Sequence, residues 1–136
     1  MQPDDLTLLS GLKALIMYDG PEGLDVTKEA LSFYKATVVA CSRVTEGLER
    51  LQTDRPDVIL CDLGRYQVNG YQFILAVRNL PPDKGGDTPA VALSVWSREE
   101  ARTRAFNAGF QKYLCKPVLL ATLIGTVAGV AGNQPR

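Results

Sequence analysis

The chain has no histidine. That removes the commonest general base and the commonest metal ligand. Ser-His-Asp and Cys-His catalysis are excluded, and so is a histidine as the chain's own phosphoryl carrier. Net charge is also missing, because fifteen basic residues balance fifteen acidic ones. A neutral chain carries no electrostatic footprint for nucleic acid or an anionic membrane. Cysteine is scarce: Cys41, Cys61 and Cys115 are an odd count at wide spacing, with no CxxC pair. Neither a disulfide framework nor a zinc site is expected, and three free thiols fit a reducing cytoplasm. The longest apolar run, Val118–Val130, is interrupted by Gly125 and Gly129 and is too short to span a bilayer. The start, Met1-Gln-Pro-Asp-Asp, lacks the basic residues of a signal peptide. A glycine-rich phosphate loop is absent too, which argues against a nucleotide-binding enzyme.

What is present suits one domain. The chain has 136 residues, of which 46% are apolar and 22% charged, ordinary values for a globular protein with a real core. After a lead-in over residues 1–11, expected to be loosely ordered, Leu12–Tyr18 reads as a buried strand stopped by Asp19-Gly-Pro. Leu24, Leu31 and Tyr34 lie at helical spacing within 23–35, and the β-branched Thr37–Cys41 reads as a strand. Val44, Leu48 and Leu51 mark an amphipathic helix. Pro56–Asp62 is the third strand, Gly64–Gly70 a loop, and Phe73, Val77 and Leu80 the next helical face. Pro81–Pro89 is a loop and Ala90–Val95 the fourth strand. Ser97 with Glu100 reads as a capping box for a helix over 97–108, stopped by Gly109. Phe110–Cys115 is the fifth strand, and Pro117 opens a last helix to about Ala131, leaving 132–136 as a tail.

Five βα units with short linkers, and strands without polar alternation, imply a parallel sheet covered on both faces. The expected fold is a flavodoxin-like (βα)5 sandwich with strand order 2-1-3-4-5. In such folds ligands sit outside the carboxyl ends of the strands. Those ends carry Asp19, Asp62, Ser94 and Lys116. Singly, each is an ordinary turn or cap residue. Jointly they place two carboxylates, a hydroxyl and an ammonium on one rim. Close carboxylates favour a hard divalent cation such as Mg2+. A carboxylate beside it can accept a phosphoryl group, whose oxygens a lysine and a hydroxyl can hold.

This ordered set resembles the receiver domain of two-component response regulators. The matching residues are Asp19, Asp62-Leu63 after PDVILC, Asn69-Gly70, Ser94 and Tyr113-Leu-Cys-Lys116-Pro117. The spacings are 43 residues from Asp19 to Asp62, 32 to Ser94 and 22 to Lys116. The likeness covers residues 12–131. It implies that Asp62 is the phosphoacceptor, taking its phosphoryl group from a phosphohistidine on a histidine kinase or a histidine phosphotransfer protein. It implies that Asp19, Asp62 and the backbone carbonyl of Gly64 bind Mg2+, that Lys116 pairs with the phosphate, that Ser94 and Tyr113 form the switch, and that Lys116–Pro117 is cis. Output would pass through the fourth helix, fifth strand and last helix to a downstream protein or a second copy of the chain. Leu9-Ser-Gly-Leu-Lys and the loop Lys84-Gly-Gly-Asp-Thr-Pro are similar to receivers of hybrid histidine kinases.

The chain departs from the family pattern in places. Tyr18 stands where a second acidic residue is usual, Tyr66 where a proline is, and Val95 where a small residue follows the hydroxyl. Tyr18 and Val95 keep an alternative open, a pseudo-receiver that binds proteins without phosphorylation. Cys61 and Cys115 adjoin Asp62 and Lys116, but with the fourth strand between them, two spacings of about 4.8 Å rule out a bond.

Overall fold

The apolar runs become the strands of one parallel sheet in the computed structural model, which describes residues 5–19, 24–64 and 67–132. The strands are β1 (Lys13–Tyr18), β2 (Thr37–Cys41), β3 (Val58–Asp62), β4 (Ala90–Ser94) and β5 (Lys112–Cys115). The helices are α1 (Leu24–Phe33), α2 (Val44–Asp54), α3 (Val68–Arg78), α4 (Glu99–Ala108) and α5 (Leu120–Val127). The strand order is β2-β1-β3-β4-β5, as expected for the flavodoxin-like fold. Register aligns the strand ends: Tyr18 pairs with Asp62, Asp62 with Leu93, and Ser94 with Cys115.

Successive residues of one strand serve opposite faces. In β1, Ala14 and Ile16 join the core beneath α1 and α5, with Leu31, Leu60, Ile124 and Val127. Leu15 and Met17 join the other, with Ile59, Cys61, Phe73 and Ile74. Every residue of β3 and β4 is buried. This accounts for apolar runs without polar alternation, since at β3 and β4 neither face of the sheet meets water. It also leaves polar side chains only the strand ends.

Several boundaries differ from the sequence reading. Residues 5–11 form turns rather than a loose lead-in: the Leu9 N–H donates to the Tyr34 carbonyl at 3.1 Å, and its side chain is fully buried. Strand β3 starts at Val58, because Asp57 is held by its N–H on the Lys13 carbonyl and by its carboxylate on the Lys13 N–H. Helix α3 begins inside the presumed loop, at Val68. The 81–89 loop contains a 3-10 turn, Pro82–Lys84. The capping box does not form: Arg98 is the N-cap, extended at ψ 150° and without a side-chain cap bond, so α4 starts at Glu99. Helix α5 starts at Leu120 rather than Pro117, after an extended Leu119, and closes in a π-helical turn, Ala128–Gly132. Gly109 does stop α4, at φ 124°, a conformation that favours glycine.

Candidate functional site

Asp62 ends β3 and is only 4% exposed. A carboxylate so buried needs a counter-charge, and the Lys116 ammonium donates to its Oδ1. Lys116 follows β5. Its own N–H donates to the Ser94 carbonyl at 2.7 Å, so the lysine backbone is tied to the end of β4. The Lys116–Pro117 peptide is cis, as expected.

Ser94 is fully buried at the end of β4. Its oxygen accepts two hydrogen bonds, from Gln67 Nε2 at 3.2 Å and from the Trp96 N–H at 3.1 Å. The Trp96 carbonyl in turn accepts from the Tyr113 hydroxyl at 2.6 Å. Tyr113 is buried, with the Arg102 guanidinium 5.5 Å from its ring centre. Ser94 and Tyr113 are thus joined through the backbone of one residue.

Asp19 leaves β1 and reaches across to the segment after Asp62. Its Oδ2 accepts from the Gly64 N–H at 3.0 Å and its Oδ1 from the Asn69 N–H at 2.9 Å. The second contact caps α3 from a neighbouring strand, because the N-cap residue Gln67 makes no side-chain cap bond. Gly64 is required by the close approach: a Cβ there would lie 2.8 Å from the Asp19 Cβ. Asn69 also donates from Nδ2 to the Ser42 carbonyl at 2.9 Å, which ties the start of α3 to the entry of α2.

The expected residues Asp62, Lys116, Ser94 and Tyr113 therefore form one connected set, with Asp19 beside it after β1 and Gly64 two residues beyond Asp62. Tyr66 lies outside the described residues. Tyr18 is half-buried at the end of β1. Val95 has left β4, is 60% exposed, and lines an apolar recess of about 440 Å3 with Val26, Leu93, Pro117 and Leu123, beside Lys116. The thiols divide by burial. That of Cys41 is pushed up to about 11 by burial and then by Glu46, and burial, with the charges of Asp19 and Asp62, pushes Cys61 higher still. Strand β4 separates Cys61 from Cys115, and all three are free.

Gln67 carries no functional signal in the sequence. A glutamine in a polar loop carries no pattern. Its signature is conformational: it is buried, and its φ of 60° is left-handed, an uncommon state for a residue other than glycine.

The donor set suits a hard cation. Asp19, Asp62 and the Gly64 carbonyl offer only oxygen, as Mg2+ prefers. Each Asp19 oxygen accepts one N–H from Gly64 or Asn69, which leaves lone-pair capacity on both. Among the described residues no three His, Cys, Asp or Glu side chains cluster to hold a metal. A cation here would complete its shell with water, as Mg2+ commonly does.

Comparison with known proteins agrees with this fold. The family profile described as response regulator receiver domain matches residues 14–128. A protein of Leptolyngbya boryana, described as an uncharacterized 14.6 kDa protein, is 34% identical over 110 residues, covering 81% of this chain and 82% of its own length. The response regulator MprA of Mycobacterium ulcerans is 26% identical over 113 residues, covering 83% of this chain, which spans 47% of MprA. Among solved structures, the receiver domain of sensor histidine kinase PA1611 of Pseudomonas aeruginosa superposes with a TM-score of 0.78 at 23% identity, covering 91% of this chain and 100% of that one. That structure has a magnesium ion coordinated in its active-site cleft. At this identity the likeness is one of fold.

Proposed function

The chain belongs to the response regulator receiver domain family, and on that premise we propose that Asp62 is the phosphoacceptor of a two-component phosphorelay. The observation that carries this reading is the Lys116 ammonium on the Asp62 carboxylate, with Ser94 on the strand between them. In the transfer, an Asp62 oxygen attacks phosphorus on the partner's phosphohistidine. The P–N bond breaks as the P–O bond forms, and the imidazole nitrogen leaves with the electron pair. The product is an acyl phosphate. Lys116 holds one charged phosphoryl oxygen, and the Ser94 hydroxyl donates to another. Asp19, Asp62 and the Gly64 carbonyl would hold Mg2+, which when bound neutralises charge on the transferring group. Attack of water on phosphorus later returns the free carboxylate.

The unit that does this is residues 12–131. The donor is a histidine kinase or a histidine phosphotransfer protein, and the receiver signals without itself being an enzyme of an external substrate. Output passes through the face formed by α4, β5 and α5. Exposed Phe106 on α4, with Leu119 and Leu120 at the start of α5, supports a protein-binding or homodimer role for that face. A cytoplasmic setting fits the free thiols, and among the described residues no helix is long and apolar enough to cross a membrane. The test is Mg2+-dependent labelling by acetyl phosphate. Labelling is expected for the wild type and absent for Asp62→Asn; a label that survives that change sinks the assignment.

Two observations favour a second reading, that of a phosphorylation-independent interaction module. Tyr18 replaces an acidic residue, and both Asp19 oxygens are already engaged by backbone. Unchanged thermal stability on adding Mg2+ with beryllofluoride would select it.

A further inference from the structure

Gln67 combines three properties that rarely meet. Its side chain is buried, its backbone is left-handed, and its amide reaches across the site to the hydroxyl of Ser94. A left-handed residue other than glycine is held there by its surroundings. The capping need of α3 does not explain the side chain, since that cap is supplied by Asp19.

The consequence lies in the Ser94 oxygen. A serine hydroxyl has two acceptor lone pairs and one proton. The Gln67 amide and the Trp96 N–H fill both acceptor positions. Ser94 is fully buried, so water does not compete. Its remaining hydrogen-bonding capacity is donation of its own proton. Resting on the phosphoacceptor reading above, we propose that Gln67 is a positioning residue: it fixes the Ser94 hydroxyl as a pure donor toward the phosphoryl group on Asp62. Without the amide, the hydroxyl regains a vacant acceptor position and can rotate to take a donor from elsewhere, and part of its catalytic orientation is lost.

The experiment measures the initial rate of Mg2+-dependent labelling by acetyl phosphate for wild type, Gln67→Met, Gln67→Gly, Ser94→Ala and Gln67→Met/Ser94→Ala. Gln67→Met keeps the side-chain length and removes the donor. Gln67→Gly removes the amide while releasing the left-handed strain, so it separates a rate defect from a folding defect. Both Gln67 variants are expected to label about tenfold more slowly, the effect of one lost orienting hydrogen bond. In the Ser94→Ala background, Gln67→Met is expected to change nothing further, because the route runs through the hydroxyl. A merely structural glutamine would slow both backgrounds alike. The proposal is overturned by Gln67 variants that label at the wild-type rate, by an undiminished Gln67→Met effect without Ser94, or by Ser94→Ala labelling normally. Failure of the wild type itself to label would instead overturn the phosphoacceptor reading, and this inference with it.

Discussion

Replacing Asp19 separates two roles that the same carboxylate could have, because they predict opposite signs. Seen only as a metal ligand, Asp19 is a negative charge on the strand end next to that of Asp62. Removing it without metal would relieve repulsion and stabilise the protein. The structure gives it a second role. Its oxygens hold the Gly64 and Asn69 N–H groups at 3.0 and 2.9 Å and cap α3. A hydrogen bond to a charged group contributes about 1.5–3 kcal/mol, and a carboxylate at a helix N-terminus adds about 0.3–1 kcal/mol. Asp19 is half-buried, so water replaces part of this in a variant. Asp19→Ala should therefore cost about 2–3 kcal/mol, at or above the upper end of ordinary capping losses, because two backbone N–H groups lose a charged acceptor. Asp19→Asn, which keeps one oxygen, should cost about 1 kcal/mol. The assay is urea unfolding at pH 7 in EDTA, where no divalent cation contributes. The Asp19→Ala midpoint should fall by on the order of 1 M with an unchanged slope. A midpoint equal to or above that of the wild type would refute the clamp.

Three further outcomes follow from the packing. Gly70→Ala puts a Cβ 2.2 Å from Leu63 Cδ2, a buried side chain, so overpacking of about 1–3 kcal/mol should outweigh the gain in helix propensity and lower the melting temperature. Arg78→Met deletes guanidinium bonds to the carbonyls of Gly109 and Gly86 and to Gln111 Oε1; a loss of about 3 kcal/mol in urea is expected, and it should persist in 1 M salt because the partners are neutral. Cys41 has its folded pKa raised from 9.0 to about 11, so its neutral thiol stabilises fully below about pH 9 and that contribution is lost as pH rises toward 11. Urea midpoints should fall across that window, with Cys41→Ala falling less.

Much of this architecture is written in residue types. The runs Leu12–Tyr18 and Ala90–Val95 gave β1 and β4 because burial on both faces demands unbroken apolar character. With the strands in place, the rule that ligands gather at their carboxyl ends picks out Asp19, Asp62, Ser94 and Lys116. Their convergence on one rim follows from sheet order. Less was legible where backbone rather than side-chain chemistry decides. Ser97 and Glu100 have the pattern of a capping box, yet Trp96 is anchored by Ser94 and Tyr113 and the backbone is extended at Arg98. Leu9 lies in a polar-looking lead-in, and only tertiary packing against the α1 side reveals it as core. Asp19 reads as a ligand by position, whereas its two backbone partners lie 45 and 50 residues away, beyond the reach of any local pattern. Gln67 acts through a left-handed backbone, which sequence does not display.

Trp96 is the chain's single tryptophan. The residue is 40% exposed, its N–H is held by Ser94 and its carbonyl by Tyr113, and its ring lies 5.4 Å from the Arg98 guanidinium. The hydroxyl and the phenol thus hold the two peptide planes on either side of the indole-bearing Cα, so a rearrangement of either one is expected to shift the indole's solvent contact and its distance from the Arg98 guanidinium. The protein therefore carries its own optical gauge: intrinsic emission should follow the state of the rim in real time, with no added dye and no engineered position.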